Sequence, residues 1–312
     1  MEKIAITGGN GFIGSNLARH FLEKKHEVLV VSRQCSNLTD ILDRIQFVQH
    51  PGFDEIKRFA PTIVIHCAWD GGNKYSDVNS LHQLQNVGDT ADLLQTLSEI
   101  SPRPSFLGLG SFAEYGRFTT AVKETDECNP VTMYGLSKLS VKNLSEMACT
   151  QRGIPWTWIR PCYIYGRDDV QTRLIPTMVR EFAGNNDVIL DSCVSTLDFL
   201  HIDDFCRGVA ALIGTGQRGT YNFCSGTELR VRDLIEEIKA LSKSTSVVTY
   251  DATLDRVNLS TYTCGNSDKL KALGWSPTVT LAKGLSGLIA AENLRRYTRG
   301  NPVDDDGLHS AI

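Results

Sequence analysis

Through the first half of the chain, short apolar runs alternate with stretches whose apolar residues recur every three to four positions. The runs at residues 4–7, 28–32, 46–48, 62–67, 105–109 and 157–160 predict β-strands. Helical patterns lie between them, clearest at 79–99 and 133–150. Strands separated by helices imply right-handed βαβ crossovers and a doubly wound parallel sheet covered on both faces, an α/β fold. From about residue 166 the rhythm changes. A short helix at 173–182, a strand at 188–190 and an extended piece at 194–202 come first. A strand at 220–224, a helix at 231–243, a strand at 247–250 and a helix at 281–297 follow. Residues 1–165 with about 196–224 therefore read as one large unit. Residues of about 166–195 and 225–297 read as a smaller C-terminal α/β lobe over the carboxyl ends of the strands, where open sheets hold ligands. Residues 298–312, with three consecutive Asp, read as a flexible tail.

The first apolar run ends in Gly8-Gly9-Asn10-Gly11-Phe12-Ile13-Gly14, and an amphipathic helix follows through Ile13, Leu17 and Phe21. Side chains at 8, 11 and 14 would block the turn, the approach of a pyrophosphate and the packing of helix on strand. The N–H groups at the helix start and the positive end of its dipole suit phosphate oxygens. The large unit is accordingly expected to be a Rossmann-type dinucleotide-binding domain.

Composition narrows the setting. The 312 residues suffice for a sizeable core, and the net charge of −4 provides no basic field for nucleic acid. No apolar run approaches the twenty residues of a membrane span, and the chain enters its first strand with no room for a signal peptide. Nine cysteines are scattered without a Cys-x-x-Cys pair, which reads as reduced thiols rather than a disulfide framework or zinc site. A soluble cytoplasmic protein without a metal is expected.

Tyr134 and Lys138 stand at i,i+4 near the start of a predicted helix, on one face. A phenol titrates near 10, and a neighbouring ammonium lowers that value, so the pair is expected to exchange a proton with an oxygen as hydride moves. Ser111 follows the run 105–109, where a strand end meets the ligand face, and its hydroxyl could donate to a carbonyl oxygen.

With the glycine loop, Ser111 in Gly-Ser-Phe-Ala-Glu-Tyr-Gly and the Tyr134/Lys138 pair, the chain resembles the extended short-chain dehydrogenase/reductase family, of the NAD-dependent epimerase/dehydratase type. His66-Cys67-Ala68 and the segment from Asn86 to Thr90 agree. Leu174-Ile175-Pro176, the segment from Asp198 to Asp204, and Leu273-Gly274-Trp275-Ser276-Pro277 resemble its nucleotide-sugar branch. The resemblance spans about residues 3–290. It implies that Ser111, Tyr134 and Lys138 are the catalytic triad, with Lys138 also bonding the nicotinamide ribose. It implies Gly8, Gly11, Phe12, Ile13, Gly14, Ala68 and Asn86 around the cofactor, Asn86 competing with a plain cap or turn role. Ser111, Phe112 and Tyr163 would face substrate, and Arg173, Arg232 and Arg256 are candidate diphosphate partners. Members often dimerise through the helices at about 79–99 and 133–150, so a homodimer is expected.

The second strand ends in Ser32-Arg33, where an NAD-preferring member shows an acidic residue for the ribose 2′-hydroxyl. A hydroxyl and a guanidinium suit a 2′-phosphate instead, so NADP(H) is expected over NAD(H). Dehydratases of the family carry Asp-Glu directly after the Ser111 position, whereas Phe112-Ala113 stands here. The cysteine of its 3,5-epimerase/reductases is missing too, and Cys162 reads as a packed thiol. What these departures leave is reduction of the 4-keto group of a nucleotide-linked 4-keto-deoxy sugar. The alternatives are C4 epimerisation of a nucleotide sugar, reduction of a non-sugar ketone or aldehyde, and a non-catalytic cofactor-binding regulator. Tyr163 in place of an Asn, and Leu197 in place of an Arg, are departures within the substrate lobe.

Overall fold

Ile4, Ala5 and Ile6, and likewise Val28 to Val31, are buried on both sides of the backbone, the signature of strands interior to a parallel sheet. The computed structural model describes residues 1–71, 79–255 and 262–300. Its first half runs β1 (Lys3–Thr7), α1 (Phe12–Glu23), β2 (Glu27–Ser32), β3 (Gln46–Gln49), α2 (Phe53–Phe59), β4 (Ile63–His66), α3 (Gln85–Leu97), β5 (Ser105–Leu109), α4 (Met133–Arg152) and β6 (Trp156–Pro161). Beyond these come β7 (Tyr163–Tyr165), α5 (Leu174–Ala183), β8 (Val188–Leu190), β9 (Thr196–Leu197), β10 (Phe199–His201), α6 (Ile202–Thr215) and β11 (Gly219–Phe223). The last elements are β12 (Leu229–Arg230), α7 (Val231–Ser242), β13 (Val248–Tyr250), β14 (Tyr262–Thr263), α8 (Asp268–Lys271) and α9 (Leu281–Gly300).

Seven strands pair in the order β11-β6-β5-β4-β1-β2-β3, all parallel. The strand order reverses between β1 and β4, which opens a crevice at their carboxyl ends. One face of the sheet packs on Leu17 and Phe21 of α1 with Phe205, Val209 and Leu212 of α6. The other packs on Ile56 and Phe59 of α2, Leu93, Leu94 and Leu97 of α3, and Val141 and Cys149 of α4. A separate apolar cluster joins α5, α7 and α9 through Met178, Phe182, Leu234, Ile235, Ile238, Leu285 and Ile289. No helix among the described residues is long and apolar enough to cross a membrane.

Several boundaries differ from the sequence reading. The stretch 79–99 is a 3-10 turn at Leu81–Leu84 followed by α3. The extended piece 194–202 is two strands: β9 pairs with β12 and β14, while β10 pairs with β7. The break falls at Asp198, whose buried carboxylate accepts from Ser225 N, Ser225 Oγ and Gly226 N and so fixes the chain between the two sheets. Helix α6 was not anticipated, although Ile202, Phe205, Cys206, Val209 and Leu212 follow a helical period. Helix α9 continues past the expected boundary at 298 to Gly300, and Thr298 Oγ1 donates to Leu294 O and Arg295 O. Residues 301–312 of that expectation lie outside the described residues.

Candidate active site

A cleft of about 1680 Å³ lies across the carboxyl ends of β1, β4, β5 and β6. On its walls the structure brings together Gly8, Gly11, Phe12, Ile13, Gly14, Ser32, Arg33, Ala68, Asn86, Ser111, Phe112, Tyr134, Lys138, Tyr163 and Arg173. Arg232 is not brought there. Its guanidinium lies 3.9 Å over the Tyr250 ring and donates to Ser192 O. Arg256 lies outside the described residues.

The glycine turn has the shape of an anion cradle. Gly8 adopts φ +67°, and a Cβ there would stand 2.6 Å from Ala68 N and Cα. A Cβ on Gly14 would stand 2.6 Å from Gly8 O, so helix, turn and β4 close up only without side chains. Helix α1 starts after Gly11 with no side-chain cap and no acidic residue in its first turn, leaving its N–H groups to an anion. These features fit a dinucleotide pyrophosphate.

At the end of β2, Arg33 meets Asp70 at 3.4 Å, and His82 Nε2 reaches the same carboxylate at 3.0 Å. Those contacts, His82 before Arg33, hold the Asp70 carboxyl below its usual range. Buried Asn86 fixes the backbone of Asp70: its Oδ1 accepts from Asp70 N at 2.7 Å and its Nδ2 donates to Asp70 O at 3.0 Å.

Ser111 caps a 3-10 turn at Phe112–Glu114, its Oγ accepting from Ala113 N at 3.1 Å. Thr132 caps α4 by accepting from Gly135 N at 3.0 Å, which sets Tyr134 and Lys138 in the first two turns of the helix. Burial pushes the Tyr134 phenol above its usual value, and its contact with Ser111 offsets only part of that rise. Lys138 is not the group that lowers it. The Lys138 ammonium turns to Leu109 O at 2.7 Å and lies 3.6 Å over the Trp69 ring, while it is 5.8 Å from the Tyr134 ring centroid. Burial brings Lys138 itself down to about 7. The expected Lys-to-Tyr acidification is therefore not made in this conformation, and the phenol stays above its usual value.

Two residues escaped the sequence reading. Glu114 is fully buried, and its carboxylate accepts from Ser111 N at 2.9 Å, Trp158 Nε1 at 3.0 Å and Arg160 Nε at 2.8 Å. Ser111-x-x-Glu114 has capping-box spacing, so the signal was present in the sequence. Trp69 stands edge-on to Tyr134 with centroids 5.9 Å apart. Its only sequence signal was its place directly after His66-Cys67-Ala68. Cys162 lies on the cleft wall with Sγ 3.6 Å from Asp198 Oδ1. Burial, then Asp198, push its thiol well up, so it stays neutral. Arg173 donates to Asp169 Oδ1 at 3.0 Å and to Ile164 O at 3.3 Å.

A parallel sheet with this strand order, and a glycine turn at its switch point, define a Rossmann-type fold. The chain belongs to the NAD dependent epimerase/dehydratase family, whose model matches residues 4–224. It is an enzyme of the extended short-chain dehydrogenase/reductase type that binds NAD(P). It is 25% identical over 306 residues to the GDP-6-deoxy-D-mannose reductase of Pseudomonas aeruginosa, covering 93% of this chain and 96% of that one. It is 22% identical over 295 residues to the CDP-abequose synthase of Salmonella muenchen, covering 93% and 97%. Among solved structures, UDP-glucuronic acid 4-epimerase from Bacillus cereus, in complex with UDP-glucuronic acid and NAD, superposes with a TM-score of 0.85. That match, at 22% identity over 94% of this chain and 99% of the other, speaks for the fold.

Proposed function

We propose that this enzyme reduces the 4-keto group of a nucleotide-linked 4-keto-deoxy sugar with NADPH. One observation carries the reading: Ser111, Tyr134 and Lys138 converge on one cleft, and the residues directly after Ser111 are Phe112 and Ala113. Neither side chain can exchange a proton, which favours simple carbonyl reduction over loss of water. The names of the relatives, a GDP-6-deoxy-D-mannose reductase and a CDP-abequose synthase, support the same class of substrate.

Gly8, Gly11, Gly14 and the start of α1 would hold the pyrophosphate, and Ser32 with Arg33 the 2′-phosphate. The lobe of α5, α7 and α9 would hold the substrate over the sheet. When bound, the dinucleotide supplies the hydride. Tyr134 delivers the proton to the carbonyl oxygen, and Ser111, whose Oγ already accepts from Ala113 N, has its O–H to donate to that oxygen. Lys138 holds positive charge beside the site.

The test is a panel of 4-keto-6-deoxy and 4-keto-3,6-dideoxy sugar nucleotides, offered with NADPH or NADH and followed by cofactor oxidation and product NMR. Stoichiometric NADPH oxidation with a single C4 alcohol as product is expected. Interconversion of C4 epimers without net cofactor oxidation would replace this reading by C4 epimerisation.

A further inference from the structure

Trp69 lines this cleft, and the proposed chemistry leaves it unused. It is half-buried just beyond β4, and three contacts fix it. Its Nε1 donates to Gln83 Oε1 at 2.8 Å, its face takes the Lys138 ammonium at 3.6 Å, and its ring stands at 85° to that of Tyr134. Gln83 is fully buried and donates through Nε2 to Gly71 O at 2.7 Å, so the indole is held by a side chain that is itself held. The Lys138 Nζ already donates to Leu109 O, and among the described residues the other charged or titratable groups that act on it or stand against it are Glu114 from the 3-10 turn, Cys67 and His66 at the end of β4, and Tyr134 on its own helix. Glu114 is engaged by Arg160 and Trp158, and burial keeps the Cys67 thiol neutral and His66 uncharged. Among the described residues the indole face therefore joins Leu109 O in balancing a buried ammonium, because the negative face of an aromatic ring attracts a cation.

We propose that Trp69 is a positioning residue: its face seats the Lys138 ammonium, its ring packs perpendicular to that of Tyr134, and Gln83 locks the indole so that the two catalytic side chains keep one spacing. The proposal rests on the reading of Tyr134 and Lys138 as the reacting pair. It assigns to Trp69 no contact with substrate.

The experiment reads Lys138 directly in the ligand-free protein. The pH dependence of its trace acylation by acetic anhydride is followed by mass spectrometry of the peptide carrying it. The half-point in the parent protein is expected near the value of about 7 that burial sets. In Trp69→Leu the half-point should fall by about one pH unit, a roughly tenfold loss of ammonium at a given pH, within the range of a desolvated cation–π contact. Trp69→Phe, which keeps an aromatic face, should fall in between. With the keto-sugar substrate, Trp69→Leu should lower kcat about tenfold and leave the substrate KM within about twofold. A half-point that stays or rises in Trp69→Leu overturns the seat, and a lowered half-point with unchanged kcat overturns the positioning role. If Trp69→Leu does not fold, fluorinated tryptophan incorporated at all four Trp positions keeps the shape and weakens the ring face. The same downward shift is required of it. A parent protein that reduces no keto sugar refutes the proposed reaction and leaves the acylation measurement to decide the seat.

Discussion

Glu114→Ala should be among the most damaging single changes in this protein. The carboxylate is fully buried and serves three donors, one of them the guanidinium of Arg160, which is only 3% exposed. Removing it leaves Arg160 with the Cys128 sulfur and the face of Tyr115 as its neighbours. Breaking one side of a buried ion pair costs about 3–5 kcal/mol, because the remaining charge stays uncompensated. The Trp158 indole N–H, in a side chain with no exposed surface, loses its acceptor as well, at about 1–3 kcal/mol. The sum, about 4–8 kcal/mol, compares with a total stability of about 5–15 kcal/mol for a folded domain. Equilibrium urea unfolding followed by tryptophan fluorescence should therefore show a sharply lowered midpoint or an unfolded protein without urea. The double change Glu114→Leu with Arg160→Met removes both charges and should be more stable than Glu114→Ala alone. A loss below about 1 kcal/mol in Glu114→Ala, or a double variant less stable than the single one, would refute the reasoning.

Three further outcomes follow from the site. Tyr134→Phe should lower turnover by about 100-fold or more with its melting temperature unchanged, since only the proton is removed, and near-parental turnover would sink the assignment. Arg33→Ala should raise the KM for NADPH about five- to tenfold and leave that for NADH unchanged. The exposed setting of Arg33 keeps the effect modest, and equal changes for both cofactors would be the contrary result. His66 is buried between Thr7 and Thr90 and is held down to about 3, mainly by burial. The unfolded chain, with a histidine near 6.5, therefore binds the proton first as pH falls, and stability declines from 6.5 toward about 3. Between pH 6.5 and 5, above most carboxylate titrations, the unfolding free energy should drop by up to about 1.4 kcal/mol per pH unit, a slope that His66→Gln should flatten.

Much of the scaffold was legible because its signals are local. Buried parallel strands must be apolar on both faces, so residues 4–7, 28–32 and 105–109 announced themselves. The glycine turn was legible because a Cβ at position 8 or position 14 would stand 2.6 Å from backbone atoms, which glycine alone avoids. Tyr134 and Lys138 could be grouped because one helix carries both. Ser111 joined them through its place at a strand end.

What the chain alone left open are relations between residues far apart in sequence. Nothing near Lys138 says that its ammonium lies over Trp69 and bonds Leu109 O, or that burial brings it to about 7. Nothing near Glu114 names Arg160 and Trp158 as its partners, 46 and 44 positions away. The direction of a charge effect depends on distance, burial and competing partners, and those quantities exist only once β4, β5, β6 and α4 are packed together. The sequence determined which groups this enzyme carries to its cleft. The tertiary structure decided which of them touch, and therefore that the Lys138 ammonium lies over Trp69 and bonds Leu109 O rather than lowering the Tyr134 phenol.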